Sequence, residues 1–191
     1  MTNIPEFQIS LNTSQAILVE VIRRCEVAGH QIGRTALQKI PYFLGVRGVP
    51  LEYRFDLYHY GPFCQDILYD AGLLESIGAI EDSKGGYNGG SKYKAGANSA
   101  DLLAEHQEVI QKYSSTIEEV TKLLMKLDTT SLEVVATIDY FYRYVSAMEL
   151  PEPRKDEVLK RFFEAKKQHL DKRDWVGKMY DQMQKIGMVG I

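Results

Sequence analysis

The sequence predicts a mainly α protein of the α+β kind, a winged helix-turn-helix followed by a C-terminal multi-helix extension. Three observations lead there. Up to Gly96 the order of patterns reads helix, helix, aromatic strand, helix, glycine-rich hairpin. In Tyr58-His59-Tyr60-Gly61-Pro62-Phe63-Cys64-Gln65-Asp66, alternation with period two stops and a helical pattern starts at a proline. Beyond Gly96 the apolar residues recur only at helical spacing. The expected geometry pairs the aromatic ribbon with the glycine-rich ribbon beside a three-helix bundle. The boundaries read 1–98 for the winged-helix domain, 99–187 for the helical extension, and 188–191 for a frayed tail.

Each element has a local cause. Thr13 and Ser14 offer N-caps, Ile17, Leu18, Val21, Ile22 and Cys25 form a stripe, and Gly29 supplies a stop. A second helix over Thr35–Gly45 carries Leu37, Ile40 and Leu44, with Pro41 inside it removing one backbone bond. The strand Leu51–His59 sets Leu51, Tyr53, Phe55 and Leu57 on one side and Glu52, Arg54, Asp56 and Tyr58 on the other. A third helix opens at Pro62 and buries Ile67, Ala71 and Leu74. Four glycines, Gly85, Gly86, Gly89 and Gly90, then give residues 79–94 the pattern of a hairpin with a glycine tip.

The extension follows the same logic. Leu103, His106, Ile110, Tyr113, Ile117, Val120, Leu124 and Leu127 alternate by threes and fours, predicting one long helix over 101–127 and a seam that could join two copies as a homodimer. Thr130 and Glu133 have capping-box spacing before a largely enclosed helix with Val134, Val135, Ile138, Phe141, Tyr142 and Val145. On that helix Asp139 and Arg143 stand at ion-pair spacing. A basic helix with Phe162 and Phe163 follows the Pro151-Glu152-Pro153 break, and a last helix from about Asp171 buries Trp175, Met179, Met183 and Ile186.

The stretch Gly33-Arg34-Thr35-Ala36-Leu37-Gln38-Lys39-Ile40-Pro41-Tyr42-Phe43-Leu44, taken with the Tyr60-Gly61-Pro62 junction, resembles the YwgA-like prokaryotic winged-helix family. More distantly it resembles the Panacea domain of antitoxins and a proteolytic adaptor. The likeness covers about residues 14–95 and departs from the family pattern at Cys64 and Pro41. It implies an architecture and leaves the activity open.

Composition narrows the uses. With 45% apolar and 26% charged residues the chain has the make-up of an ordinary globular protein. No run spans a bilayer, so no membrane partner is expected, and no secretory signal is visible. The two cysteines form no disulfide framework, so a reducing cytoplasm is the default location. Residues 101–150 hold 4 Lys/Arg against 9 Asp/Glu, whereas 151–191 hold 10 against 7. The basic surplus therefore lies away from the third helix, which has no Lys or Arg between Pro62 and Glu81.

No P-loop, nucleotide-binding glycine fingerprint, nucleophile elbow or histidine-rich metal motif occurs, so neither catalysis nor a cofactor is expected. Cys25-x4-His30 and His59-x4-Cys64 have unusual spacings for zinc, and no metal site is assigned to them. His106 reads as a buried or seam-edge histidine. Cys64 reads as a small core-edge residue, although a first-turn position favours a thiolate. The amides of Phe63, Cys64 and Gln65 at a helix start would suit an anion, with an ordinary satisfied terminus as the plainer account.

Two uses remain open. In the first, a transcriptional regulator touches DNA chiefly through its wing, with Lys84, Lys92, Lys94 and Tyr93 on the backbone and Gln65 and Tyr69 near bases. In the second, a protein-interaction adaptor or antitoxin-like protein docks a partner on Tyr58, Tyr60, Phe63, Asp66 and Asp70.

Overall fold

The computed structural model describes residues 10–83, 90–148 and 154–189, and it is mainly helical with two small antiparallel sheets. Helix α1 (Thr13–Val27) is central, with Ala16 to Ile22 and Cys25 packed almost without exposure. Its cap is Asn12 rather than Thr13 or Ser14. The Asn12 side chain accepts from the Gln15 amide at 2.8 Å, and Gln15 Oε1 accepts from the Asn12 amide at 3.0 Å. Ser14 instead accepts from the Glu52 amide at 2.9 Å and ties down the start of the aromatic segment. Gly29, at φ +79°, turns the chain at the helix end.

Ile32 follows as a single bridge to Tyr93, and helix α2 (Arg34–Val46) then runs without interruption through Pro41. The segment after it departs from expectation. Residues 51–58 do alternate half-buried and exposed, but only Asp56–Tyr58 forms a strand, β1. It pairs with β2 (Gly61–Phe63), placing Tyr58 opposite Gly61 and Asp56 opposite Phe63. The glycine-rich segment makes its own sheet from β3 (Ile80–Asp82) and β4 (Tyr93–Ala95). The aromatic and glycine-rich ribbons are therefore not paired, and that expectation is overturned. The aromatic strand folds back on itself at His59–Tyr60, where Gly61 at φ +85° allows the reversal. What bonds to the second sheet is Ile32, whose carbonyl accepts from the Tyr93 amide at 2.9 Å.

Helix α3 spans Gln65–Ser76, not from Pro62, because Pro62 is held in the hairpin opposite Leu57. The expected long helix over 101–127 is three: α4 (Ser99–Ala104), α5 (Gln107–Lys112) and α6 (Ser114–Leu124). Breaks at Glu105–His106 and Tyr113 let all three lie against α1. Leu103, Ile117, Val120 and Leu124 of the seam expected to join two copies are buried within this chain, whereas His106, Ile110, Tyr113 and Leu127 are half-buried.

Helix α7 (Thr129–Ala147) is capped by Asp128, which accepts from the Ser131 amide at 2.7 Å, in place of the Thr130–Glu133 box. It packs against α2, β2, α8 (Arg154–Ala165) and α9 (Arg173–Lys185), and a 3₁₀ turn over Lys167–Lys172 joins the last two. Ile186 is exposed, whereas Val189, expected in a frayed tail, is buried; the Met188 amide donates to Met183 at 2.8 Å. One apolar cluster runs from Leu11 to Val189 and joins both halves of the chain.

Candidate functional site

Two polar side chains in the middle of α2, Gln38 and Lys39, reach the β1–β2 hairpin and its exit, and a third, Tyr42, bonds α7. Gln38 Nε2 donates to the Cys64 carbonyl at 3.0 Å, and its Oε1 accepts from the Cys64 amide at 2.9 Å. Lys39, only 2% exposed, donates to the Pro62 carbonyl at 2.7 Å. Tyr42 donates to Asp139 at 2.8 Å, and Arg143 closes on the same carboxylate oxygen at 2.8 Å, as the spacing predicted. The helix start thus offers no open anion site at Cys64, whose amide already has a partner.

A second lysine also bonds the hairpin. Lys166 Nζ donates to the Tyr58 carbonyl at 2.9 Å and to the His59 carbonyl. Glu133 balances this charge: its Oε1 lies 3.6 Å from Lys166 Nζ and 3.9 Å from His169 Nε2. Burial, then the neighbouring Lys166 charge, pull the Lys39 ammonium down to about 7, with Glu133 acting the other way. Burial also lowers Lys166, against the pull of Glu133. The approach around the turn is tight. A Cβ at Gly61 would stand 2.6 Å from Thr137 Oγ1.

In this clamp Gln38 and Lys39 bond the chain just after the turn, at Cys64 and Pro62 respectively. Sequence reading missed Gln38, Lys39, Glu133 and Lys166 as a group. The available signal was a lysine and a glutamine inside an apolar stripe, a pattern that burial makes costly unless each has a partner.

The clamp leaves an aromatic knuckle facing water. Tyr58 and Tyr60 are 59% and 69% exposed, while Phe63 is half-buried with its ring 5.6 Å from that of Tyr58. Strand β2 passes through Cys64 directly into α3, which exposes Gln65, Asp66, Tyr69 and Leu73. Asp70 does not join this surface. It accepts from Gln15 at 2.7 Å and from the Tyr53 hydroxyl at 2.8 Å, a structural role that corrects its place among the docking residues.

The residues expected to meet DNA separate. Gln65, Tyr69 and Lys92 are exposed. Tyr93, in β4, is only 6% exposed and packs into the core, which corrects its place among the phosphate contacts. Lys94 is bound to Glu81 at 2.8 Å, so its charge is partly answered. Lys84, with the rest of the glycine tip over 84–89, lies outside the described residues.

Cys25 and Cys64 are free and buried, and burial pushes the Cys25 thiol up to about 12. Among the described residues no group of three or more His, Cys, Asp or Glu could hold a metal ion. No helix among them is long and apolar enough to cross a membrane. No protein-family model matches this chain, and no curated protein matches it.

Proposed function

We propose that the chain is a non-enzymatic winged-helix adaptor that docks a protein segment on the Tyr58–Tyr60 knuckle and the adjoining face of α3. The winged-helix frame is supported by the order α1, Ile32, α2, α3, β3, β4, in which Ile32 takes the place of the first wing strand. The aromatic hairpin is then an insertion between α2 and α3. This arrangement is in keeping with the YwgA-like and Panacea resemblance.

The observation that carries the reading is the clamp. Two buried lysines hold a hairpin whose outward side chains include Tyr58 and Tyr60 beside Asp56 and His59, and rigid exposed aromatics lose little entropy on binding. The partner is a protein segment with an apolar centre and a basic rim, because Asp66, Tyr69 and Leu73 share one exposed side of α3 and the chain has no Lys or Arg from Pro62 to Glu81.

DNA binding is the second reading, favoured by the exposed Lys92 at the base of the wing with Gln65 and Tyr69 on α3. A photo-crosslinking residue at position 60 separates the two. The adaptor reading expects one recurrent protein product, lost when Tyr58→Ala or Asp66→Lys is added and retained with Lys92→Glu. It fails if the product survives those first two changes, or if the chain binds random DNA at low salt in a manner abolished by Lys92→Glu.

A further inference from the structure

Beneath the hairpin turn the charges do not balance. Lys39 and Lys166 are both buried, and Glu133 is the carboxylate that acts on each of them. Glu133 Oε1 lies 3.6 Å from Lys166 Nζ, whereas no carboxylate among the described residues stands within ion-pair distance of Lys39. Lys39 Nζ instead donates to the Pro62 carbonyl at 2.7 Å, and it lies 3.5 Å from where a Cβ at Gly61 would sit. The ammonium is therefore set against the turn itself.

The elements around Lys39 offer its charge little. From α7 come Glu133 and the Thr137 hydroxyl, which already donates to the Glu133 carbonyl at 2.7 Å. Glu133 is shared further with His169, 3.9 Å away. The end of α8 brings Lys166, a like charge, and β2 brings a neutral carbonyl. On α1, Glu20 is engaged by Arg23 and Arg24; on α6, Glu118 is engaged by Lys122 and Glu119 by Arg47. Asp56 and His59 of the hairpin are exposed. A buried ammonium without its own counter-charge gives up its proton readily, because desolvation and a like charge both oppose it. The neutral amine still donates to Pro62. The strands pair over only three residues each, so the hairpin has little stability of its own.

We propose that Lys39 is a proton-operated latch: as the neutral amine it keeps the hairpin closed, and proton uptake favours opening, which ends the fixed presentation of Tyr58 and Tyr60. The latch concerns how the hairpin is held, so it stands or falls apart from the adaptor reading. Burial and Lys166 lower Lys39 to about 7, and an opened, hydrated lysine returns toward its ordinary 10.5. Between these values the open form binds more protons, so opening grows as pH falls toward 7 and levels off below it.

Hydrogen exchange of the amides over 56–63 in the full chain, divided by the rate of an unstructured peptide at the same pH, tests this. Protection should rise about tenfold between about pH 6.5 and 8.5. It should stay below that of the α1 amides throughout, which marks the opening as local. Lys39→Met removes the pH slope, whereas a merely structural lysine would change the level and keep the slope. Glu133→Gln withdraws the carboxylate that favours the Lys39 proton and carries the rise to lower pH, a second reading that holds should Lys39→Met fail to fold. His59→Gln, at the histidine of the hairpin, leaves the slope intact. A flat profile in the parent chain, or a slope that persists in Lys39→Met or vanishes in His59→Gln, overturns the proposal. So does an unshifted profile in Glu133→Gln, or hairpin protection equal to that of α1 at every pH.

Discussion

Gly61 is the residue on which the knuckle turns. It combines φ +85° with a neighbour that leaves no room for a Cβ, Thr137 Oγ1 at 2.6 Å from where that atom would sit. Gly61→Ala therefore carries both backbone strain and a clash, and should destabilise the protein by about 2–3 kcal/mol in urea unfolding. Adding Thr137→Ala removes the clash alone and recovers part of that loss. A Gly61→Ala variant as stable as the parent would contradict the geometry.

Lys39 makes a second prediction at this scale. Its folded value of about 7 lies below the ordinary 10.5, so between these the unfolded chain binds more protons than the folded one. Stability then rises with pH above about 7, and the full penalty is present below it. The upper end of this window is set by Cys25, whose thiol is raised from 9.0 to about 12 and whose contribution falls away as pH climbs past 9.0. Tyr42 and Tyr53, both raised by burial and then by Asp139 and Asp70 respectively, act in the same direction at higher pH. Unfolding free energy measured from pH 7 to 9 should increase, and Lys39→Met should flatten the increase. An unchanged slope in that variant would assign the titration elsewhere.

At the scale of elements, the helices were legible and their partners were not. Apolar stripes located α1, α2, α7 and α8 because one buried face imposes a 3.6-residue period. The aromatic strand was read correctly as two-sided, since residues 51–58 do alternate. Alternation reports which side chains face inward but not which strand lies alongside, so the fold-back at Gly61 stayed hidden. Pro62 gave the same ambiguity: a proline suits a first helical turn and an edge hairpin equally. The 101–127 seam kept its period across two single-turn breaks, and spacing alone reads through such breaks.

The capping of α1 was misplaced by one residue, and this too can be measured. Asn12→Ala removes the acceptor for the Gln15 amide and should cost about 1 kcal/mol, seen as a lowered Tm. Thr13→Ala, at the position first expected to cap, should have a smaller effect.

Across the whole molecule, the candidate site is built from contacts the chain order conceals. Lys39 and Pro62 are 23 residues apart, and Lys166 lies 108 from Tyr58, so no local pattern joins them. Of the docking residues expected from the sequence, Tyr58, Tyr60 and Asp66 are exposed and Phe63 half-buried, while Asp70 is engaged by Gln15 and Tyr53; Tyr69, expected near bases, is exposed beside them. The supporting half required the fold.

The central claim is that Lys39 and Lys166 hold the β1–β2 hairpin rigid and so present Tyr58 and Tyr60. Hydrogen–deuterium exchange of the amides over 56–63, compared between the parent and Lys166→Met, tests it most directly. The account predicts faster exchange in the hairpin while the amides of α1 keep their protection. Unchanged exchange in the hairpin, or an increase spread evenly over α1 as well, would contradict it.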